Sequence, residues 1–150
     1  MRLVLLSLCA AMVASSPALA DEARVEVHSG LGWTAGQAAK ATVGGALGYD
    51  YNLGSNAFAG AEVSLDKVLA TGAKVRWGTT ARLGANVSAN DKLYGLAGYS
   101  FGVGPNATHL GAGVEHNFGG YFGKVEYRHY FNENGARNSN AATVGVGMRF

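Results

Sequence analysis

The stretch Asn140–Phe150, reading N-A-A-T-V-G-V-G-M-R-F, decides the fold. Every second residue is apolar (Ala142, Val144, Val146, Met148, Phe150), and the residues between them are small or charged (Ala141, Thr143, Gly145, Gly147, Arg149). Alternation with a period of two belongs to a β-strand with two different faces. Its length suits the roughly 9–11 tilted residues with which a strand crosses a bilayer.

Seven further segments alternate in the same way. The eight are placed at about 23–33, 41–51, 57–65, 73–87, 93–103, 108–118, 121–131 and 141–150. Each connection contains Gly, Asn or Asp, which tolerate the backbone angles of tight turns. No long stretch of helical period intervenes. The pattern predicts an all-β chain, an eight-stranded antiparallel up-and-down barrel.

Sorting each strand by parity yields two faces. One carries Val25, Val27, Leu31, Leu47, Val63, Trp77, Leu83, Leu110, Val125, Val144 and their like. The other carries Arg24, Glu26, Asp50, Glu62, Lys74, Arg76, Arg82, Glu115, Lys124, Glu126, Arg128 and Arg149, interleaved with glycine, Ser and Thr. Strand five sorts least well, because Tyr94 and Leu96 fall on the polar side.

A soluble barrel would turn the apolar face inward, and a membrane barrel would turn it outward. Three features favour the membrane. Glycine is concentrated on the polar face (Gly44, Gly48, Gly60, Gly98, Gly111, Gly145 among others), where small residues leave room for Arg and Glu in a narrow interior. Charged residues make up only 15% of the chain, thin cover for the whole exterior of a soluble barrel. Aromatics on the apolar face gather near strand ends, Tyr49, Tyr51, Phe118, Tyr121 and Phe150 at one rim and Trp33, Tyr99, Phe101 and Phe131 at the other. Two such girdles around an aliphatic band are what the headgroup boundaries of a bilayer select. Trp77 and Tyr127 fall nearer mid-band on this reading.

Residues 1–20 read as a signal peptide rather than as part of the fold. Arg2 forms the basic n-region, Leu3–Val13 the apolar h-region, and S-S-P-A-L-A (15–20) an Ala-x-Ala-type cleavage site before Asp21. A lipoprotein would need a small residue before Cys9, where Leu8 stands. The mature barrel is expected to span 21–150. The only cysteine is Cys9, so the exported part holds no disulfide or thiol chemistry. No later run of eighteen apolar residues exists for a helical span. Without Arg2 the basic and acidic counts are nearly equal, which gives no reason to expect nucleic acid as a partner.

With these features in place the sequence resembles the small outer-membrane β-barrels of Gram-negative bacteria, the opacity-porin-like class. The matching stretches are Leu93–Gly102 (L-Y-G-L-A-G-Y-S-F-G), Val125–Tyr130 (V-E-Y-R-H-Y) and Val144–Phe150 (V-G-V-G-M-R-F). The resemblance implies both termini in the periplasm and outer loops at 34–40, 66–72, 104–107 and 132–140. These loops are short for an adhesin. A peptidoglycan tether is not expected, since no such domain follows Phe150. The resemblance also implies outer-membrane lipid and lipopolysaccharide as surroundings, and periplasmic chaperones and the barrel-assembly machinery as partners. That machinery would read the closing strand, through Val144, Val146, Met148 and Phe150.

The inward charges are the candidate site: Glu26, Glu62, Glu115 and Glu126 against Lys74, Arg76, Arg82, Lys124 and Arg128. An eight-stranded interior has room for little beyond side chains, and buried charges need partners. A salt-bridged plug is therefore expected, with a selectivity lining for a small-solute pore as the alternative. His129 raises an enzyme reading. Tyr127–Asn134 (Y-R-H-Y-F-N-E-N) resembles the His-containing strand of lipid A deacylases, but Phe131 stands where the serine nucleophile would be. His28, His109 and His116 are too dispersed for a metal site. No cofactor and no catalysis are expected. The expected role is structural, with a passive channel second and a surface-binding protein acting through 132–140 third; oligomeric state is open.

Overall fold

Eight strands form in the computed structural model, which describes residues 21–102 and 104–150. They are β1 (Glu22–Thr34), β2 (Lys40–Leu53), β3 (Ala57–Val68), β4 (Arg76–Asn86), β5 (Asp91–Gly102), β6 (Ala107–Phe118), β7 (Tyr121–Asn132) and β8 (Ser139–Arg149). The proposed signal peptide, with Cys9, lies outside the described residues. Each strand pairs antiparallel with its chain neighbours, and β8 pairs with β1 from Arg24↔Arg149 to Thr34↔Ser139. The ring is closed, so no strand edge is left to template aggregation. Closure extends to the last residue, where Phe150 and Ala23 exchange backbone hydrogen bonds at 2.9 and 3.2 Å.

The two ends of the barrel differ. At the end that holds both termini, β6 and β7 are joined by the two residues 119–120, with Gly119 at φ 76°. At the other end the connections 35–39, 69–75 and 133–138 are longer. Short turns at one end and longer ones at the other are the pattern of membrane barrels.

The interior is polar and the exterior apolar. Among the described residues Arg24, Glu26, Asp50, Glu62, Arg82, Lys92, Glu115, Lys124, Glu126 and Arg128 are all buried, whereas Val27, Leu83 and Val146 are more than 60% exposed. Water drives apolar surface inward. This arrangement is stable only where the outside medium is itself apolar. Glycines make the interior possible: a Cβ on Gly44 would collide with His28 and Asp66, and one on Gly98 with His109.

Three sequence expectations need correction. Strand four begins at Arg76 rather than at residue 73, because the segment 69–75 forms a turn that includes Gly72 at φ 75°. Lys74 therefore lies outside any strand and is exposed, so parity says nothing about its direction. Trp77, as the second residue of β4, pairs with Phe101 at the long-turn rim instead of lying mid-band. Tyr127 stays at mid-strand as expected, opposite Ala112 and Ala142, with its hydroxyl on Asn140 and its ring toward Trp33.

Candidate functional site

Ionic side chains from seven strands converge in the lumen. Arg24 (β1) bonds to Glu62 (β3) and donates to Glu115 Oε2 (β6) at 3.2 Å. Glu62 also accepts from Arg128 Nη2 (β7) at 2.9 Å. Glu126 joins Lys124 at 2.9 Å and Arg128 at 2.5 Å, and Lys124 reaches Glu26 at 2.6 Å. A second group, toward the terminal end, holds Arg82 on Glu115 at 3.2 Å and Lys92 on Glu22 at 2.5 Å. Asp50 stands among Arg82, Lys92 and Arg24 at 3.5, 3.6 and 3.9 Å. Cations and carboxylates alternate, so each buried charge faces an opposite one, which is what a desolvated interior requires.

Of the residues expected in this network, Glu26, Glu62, Arg82, Glu115, Lys124, Glu126 and Arg128 are brought together, while Lys74 and Arg76 are not. Arg76 is half-buried at the rim, where it donates to the Pro105 carbonyl at 3.0 Å and lies 5.6 Å over the Tyr130 ring. Sequence reasoning left Arg24 and Asp50 on the polar face without a role and passed over Lys92 and Glu22. Its place next to the outward Leu93 could have flagged Lys92, but Tyr94 and Leu96, which share its parity, made strand five sort poorly.

Those two residues have their own reason to point inward. Phe58, Tyr94 and Leu96 form a small buried apolar cluster within the lumen. Phe58 and Tyr94 meet edge to face at 6.2 Å, and the Arg82 guanidinium lies 4.0 Å over Tyr94. Cations over aromatic faces are stabilised by the ring quadrupole. The Tyr94 hydroxyl donates to Glu126 at 2.9 Å, tying this cluster to the ionic web. Phe122 is also buried, with the Arg24 guanidinium 5.7 Å over its ring.

Toward the long-turn end the interior changes character. His28 sits between Glu26 (3.2 Å) and Asp66 (2.7 Å), and Asp66 also accepts from Ser64 at 2.8 Å. The carboxylate separates the hydroxyl from the imidazole, the reverse of the order needed to activate a nucleophile. His109, fully buried, lies between Thr80 (3.0 Å) and Ser100 (3.1 Å). Among the described residues no group of three or more His, Cys, Asp or Glu is placed to hold a metal ion.

The rim aromatics Tyr51, Tyr99, Phe101, Phe118, Tyr121, Phe131 and Phe150 are exposed on the outer wall, and Trp33 and Tyr49 are half-buried there. Val144, Val146 and Met148 of β8, and Phe150 just after it, also face outward. His129 packs edge to face on Phe131 at 4.6 Å.

No family model and no curated protein matches the sequence. Solved structures do match. The attachment invasion locus protein Ail of Yersinia pestis aligns at TM-score 0.65 and 15% identity, over 87% of this chain and 97% of its own. The N-terminal β-barrel domain of Pseudomonas aeruginosa OprF aligns at 0.62 and 16%, over 85% and 97%. This chain has the fold of the small outer-membrane β-barrels. The outer membrane enzyme PagL aligns to the same barrel at 0.62 and 13% identity, over 83% of this chain and 98% of its own. At such identities the likeness concerns the fold, and these small outer-membrane barrels differ in function.

Proposed function

We propose that the chain is a structural outer-membrane barrel of the opacity-porin-like class, with a lumen closed by its own salt bridges, that contributes to the integrity and surface of the membrane. The observation that carries this reading is ion pairing across the lumen, Arg128 to Glu62 and Lys92 to Glu22, each joining strands on opposite sides of the ring. A solute would have to break such pairs, and separating one partner of a buried pair costs about 3–5 kcal/mol. The lipid-facing band and its rim aromatics support insertion in the outer membrane after removal of residues 1–20, amid lipid and lipopolysaccharide. In this reading periplasmic chaperones deliver the chain, and the assembly machinery engages Val144, Val146, Met148 and Phe150.

The protein is not an enzyme in this reading. Asp66 intervenes between Ser64 and His28, and His129 faces Phe131 where a nucleophile would be needed.

A passive small-solute channel is the second reading, favoured by one observation. Both Asp50 carboxylate oxygens are buried without a hydrogen-bond partner among the described residues, and the surrounding cations stand off at 3.5–3.9 Å. Unfilled hydrogen-bonding capacity of this kind invites water into the lumen, and a continuous file of it would conduct. Liposomes loaded with a small fluorescent anion test the two. With the refolded chain inserted they are expected to leak no faster than empty vesicles; leakage proportional to protein would favour the channel.

A further inference from the structure

The lumen does not use a polar and aromatic cluster on the outward wall at the long-turn end. Trp33 of β1, Asn140 of β8 and His129 of β7 are register neighbours in one row. Asn140 Oδ1 accepts from the Tyr127 hydroxyl at 2.7 Å and meets His129 Nδ1 at 2.7 Å. A carbonyl oxygen only accepts, so Nδ1 carries the proton; in the neutral ring Nε2 is then an acceptor and the Asn140 amide nitrogen a donor, neither with a hydrogen bond among the described residues. Trp33, 6.3 Å from Tyr127, and Phe131, 4.6 Å from His129, fix these polar atoms between rings.

A cation lies beyond the row. Arg137, in the β7–β8 turn, reaches across to the β1–β2 turn and donates to the Ala35 carbonyl at 3.4 Å. It is exposed and has no carboxylate partner among the described residues, in contrast to the buried lumen cations Arg24, Arg82, Lys92, Lys124 and Arg128, which all have one. Lys40, opposite Gly32 beside Trp33, is likewise exposed and without an ion pair among those residues.

Acyl chains satisfy neither His129 Nε2 nor the Asn140 amide nitrogen, and polar atoms turned toward hydrocarbon are costly. A donor and an acceptor in one row of side chains suit a hydroxyl-bearing ring, the indole suits the boundary between apolar and wet surroundings, and an exposed guanidinium without a carboxylate partner suits phosphate. We propose that Trp33, Asn140 and His129, with Arg137 above them, bind the phosphorylated sugar headgroup of a membrane glycolipid. The proposal rests on the outer-membrane placement given under Proposed function.

The test uses the mature barrel carrying Trp77→Phe, which leaves Trp33 as its only tryptophan, in phosphatidylcholine nanodiscs. Added lipid A, a bisphosphorylated glucosamine disaccharide lipid, is expected to shift Trp33 emission saturably, and phosphatidylglycerol, anionic but without a sugar, is not. Arg137→Gln and Asn140→Ala are each expected to weaken the lipid A response about tenfold, the loss of one charge-assisted or shared hydrogen bond. An equal response to phosphatidylglycerol, or unchanged affinity in both variants, would overturn the proposal. A response to water-soluble glucosamine-1-phosphate with none to lipid A would overturn the membrane source and leave a soluble saccharide as the ligand.

Each variant is first checked for the heat-dependent gel shift of a closed barrel. Arg137→Gln lies in a turn and keeps the test decisive if Asn140→Ala does not close. Protease protection of the inserted barrel is read separately. If the unsubstituted barrel fails to insert, the membrane placement falls, whereas an inserted barrel that ignores lipid A removes only the headgroup site.

Discussion

Arg128 Nη2 of β7 donates to Glu62 Oε1 of β3 at 2.9 Å, and because β3 and β7 lie four strands apart in the closed ring, the pair spans the lumen. Glu62 also serves Arg24 and stands 3.7 Å from Lys124, so one carboxylate holds three cations. Removing it leaves those cations short of a partner in a desolvated interior. Glu62→Ala is expected to destabilise the barrel by about 3–5 kcal/mol. Urea unfolding in micelles, followed by the heat-dependent gel shift, measures this; an unchanged midpoint would refute buried pairing at Glu62.

Coupling across the lumen is a separate expectation. The double variant Glu62→Ala with Arg128→Ala is expected to cost less than the sum of its singles, by about 0.5–3 kcal/mol, since the second change removes a charge already stranded by the first. Strict additivity in the same unfolding assay would mean that the two side chains do not share an interaction in solution.

Lys92 and Lys74 form a contrast that the sequence alone orders wrongly. Lys92 is buried with Glu22, Asp50 and Glu115 around it, and Lys74 is exposed in a turn. Lys92→Ala is expected to lower stability by several kcal/mol, and Lys74→Ala to stay within about 0.5 kcal/mol of the parent. Equal effects, compared by unfolding midpoint, would contradict the assignment of strand four.

The apolar cluster supports a fourth expectation. Phe58 is fully buried, with Arg82 5.3 Å and Lys92 4.9 Å over its ring. Phe58→Ala leaves a cavity and removes both cation contacts, at a cost of about 3–5 kcal/mol. Phe58→Leu keeps most of the volume and should recover part of the loss. Full recovery would mean that packing alone matters at this site.

These contrasts show what a linear pattern carries. Period-two alternation encodes which way a side chain points, so the inside-out barrel and most of the lumen set, such as Glu26, Arg82 and Lys124, were legible from parity. Parity holds only inside a strand, and the turn at 69–75 removed Lys74 and moved Trp77 to the rim. Partners across the lumen follow from strand tilt and stagger. That is why the pairs Arg128–Glu62 and Lys92–Glu22 were not readable, and why Lys92 was missed beside the inward Tyr94. His109 was set aside as too dispersed for a metal site; its partners Thr80 and Ser100 stand on the adjacent strands β4 and β5, and the register that sets them beside it is not written in the linear pattern.

Assembly supplies a fifth expectation within the proposed role. Phe150 closes the seam through its backbone to Ala23 while its side chain, 69% exposed, faces outward. Phe150→Ala keeps the backbone bonds and deletes only the outward ring. It is expected to slow appearance of the heat-shifted band in the membrane fraction and to leave export and removal of residues 1–20 intact. Normal assembly kinetics would remove Phe150 from the recognition of the closing strand.

The central claim, that the lumen is closed by its own charges, is tested most directly by single-channel recording of refolded residues 21–150 in a planar bilayer. The barrel is expected to be silent, and Glu62→Ala or Arg128→Ala, if it still closes, to open discrete steps. Reproducible openings of the unsubstituted barrel, altered by Arg82→Ala, would contradict the closed lumen and make the same charges the lining of a channel.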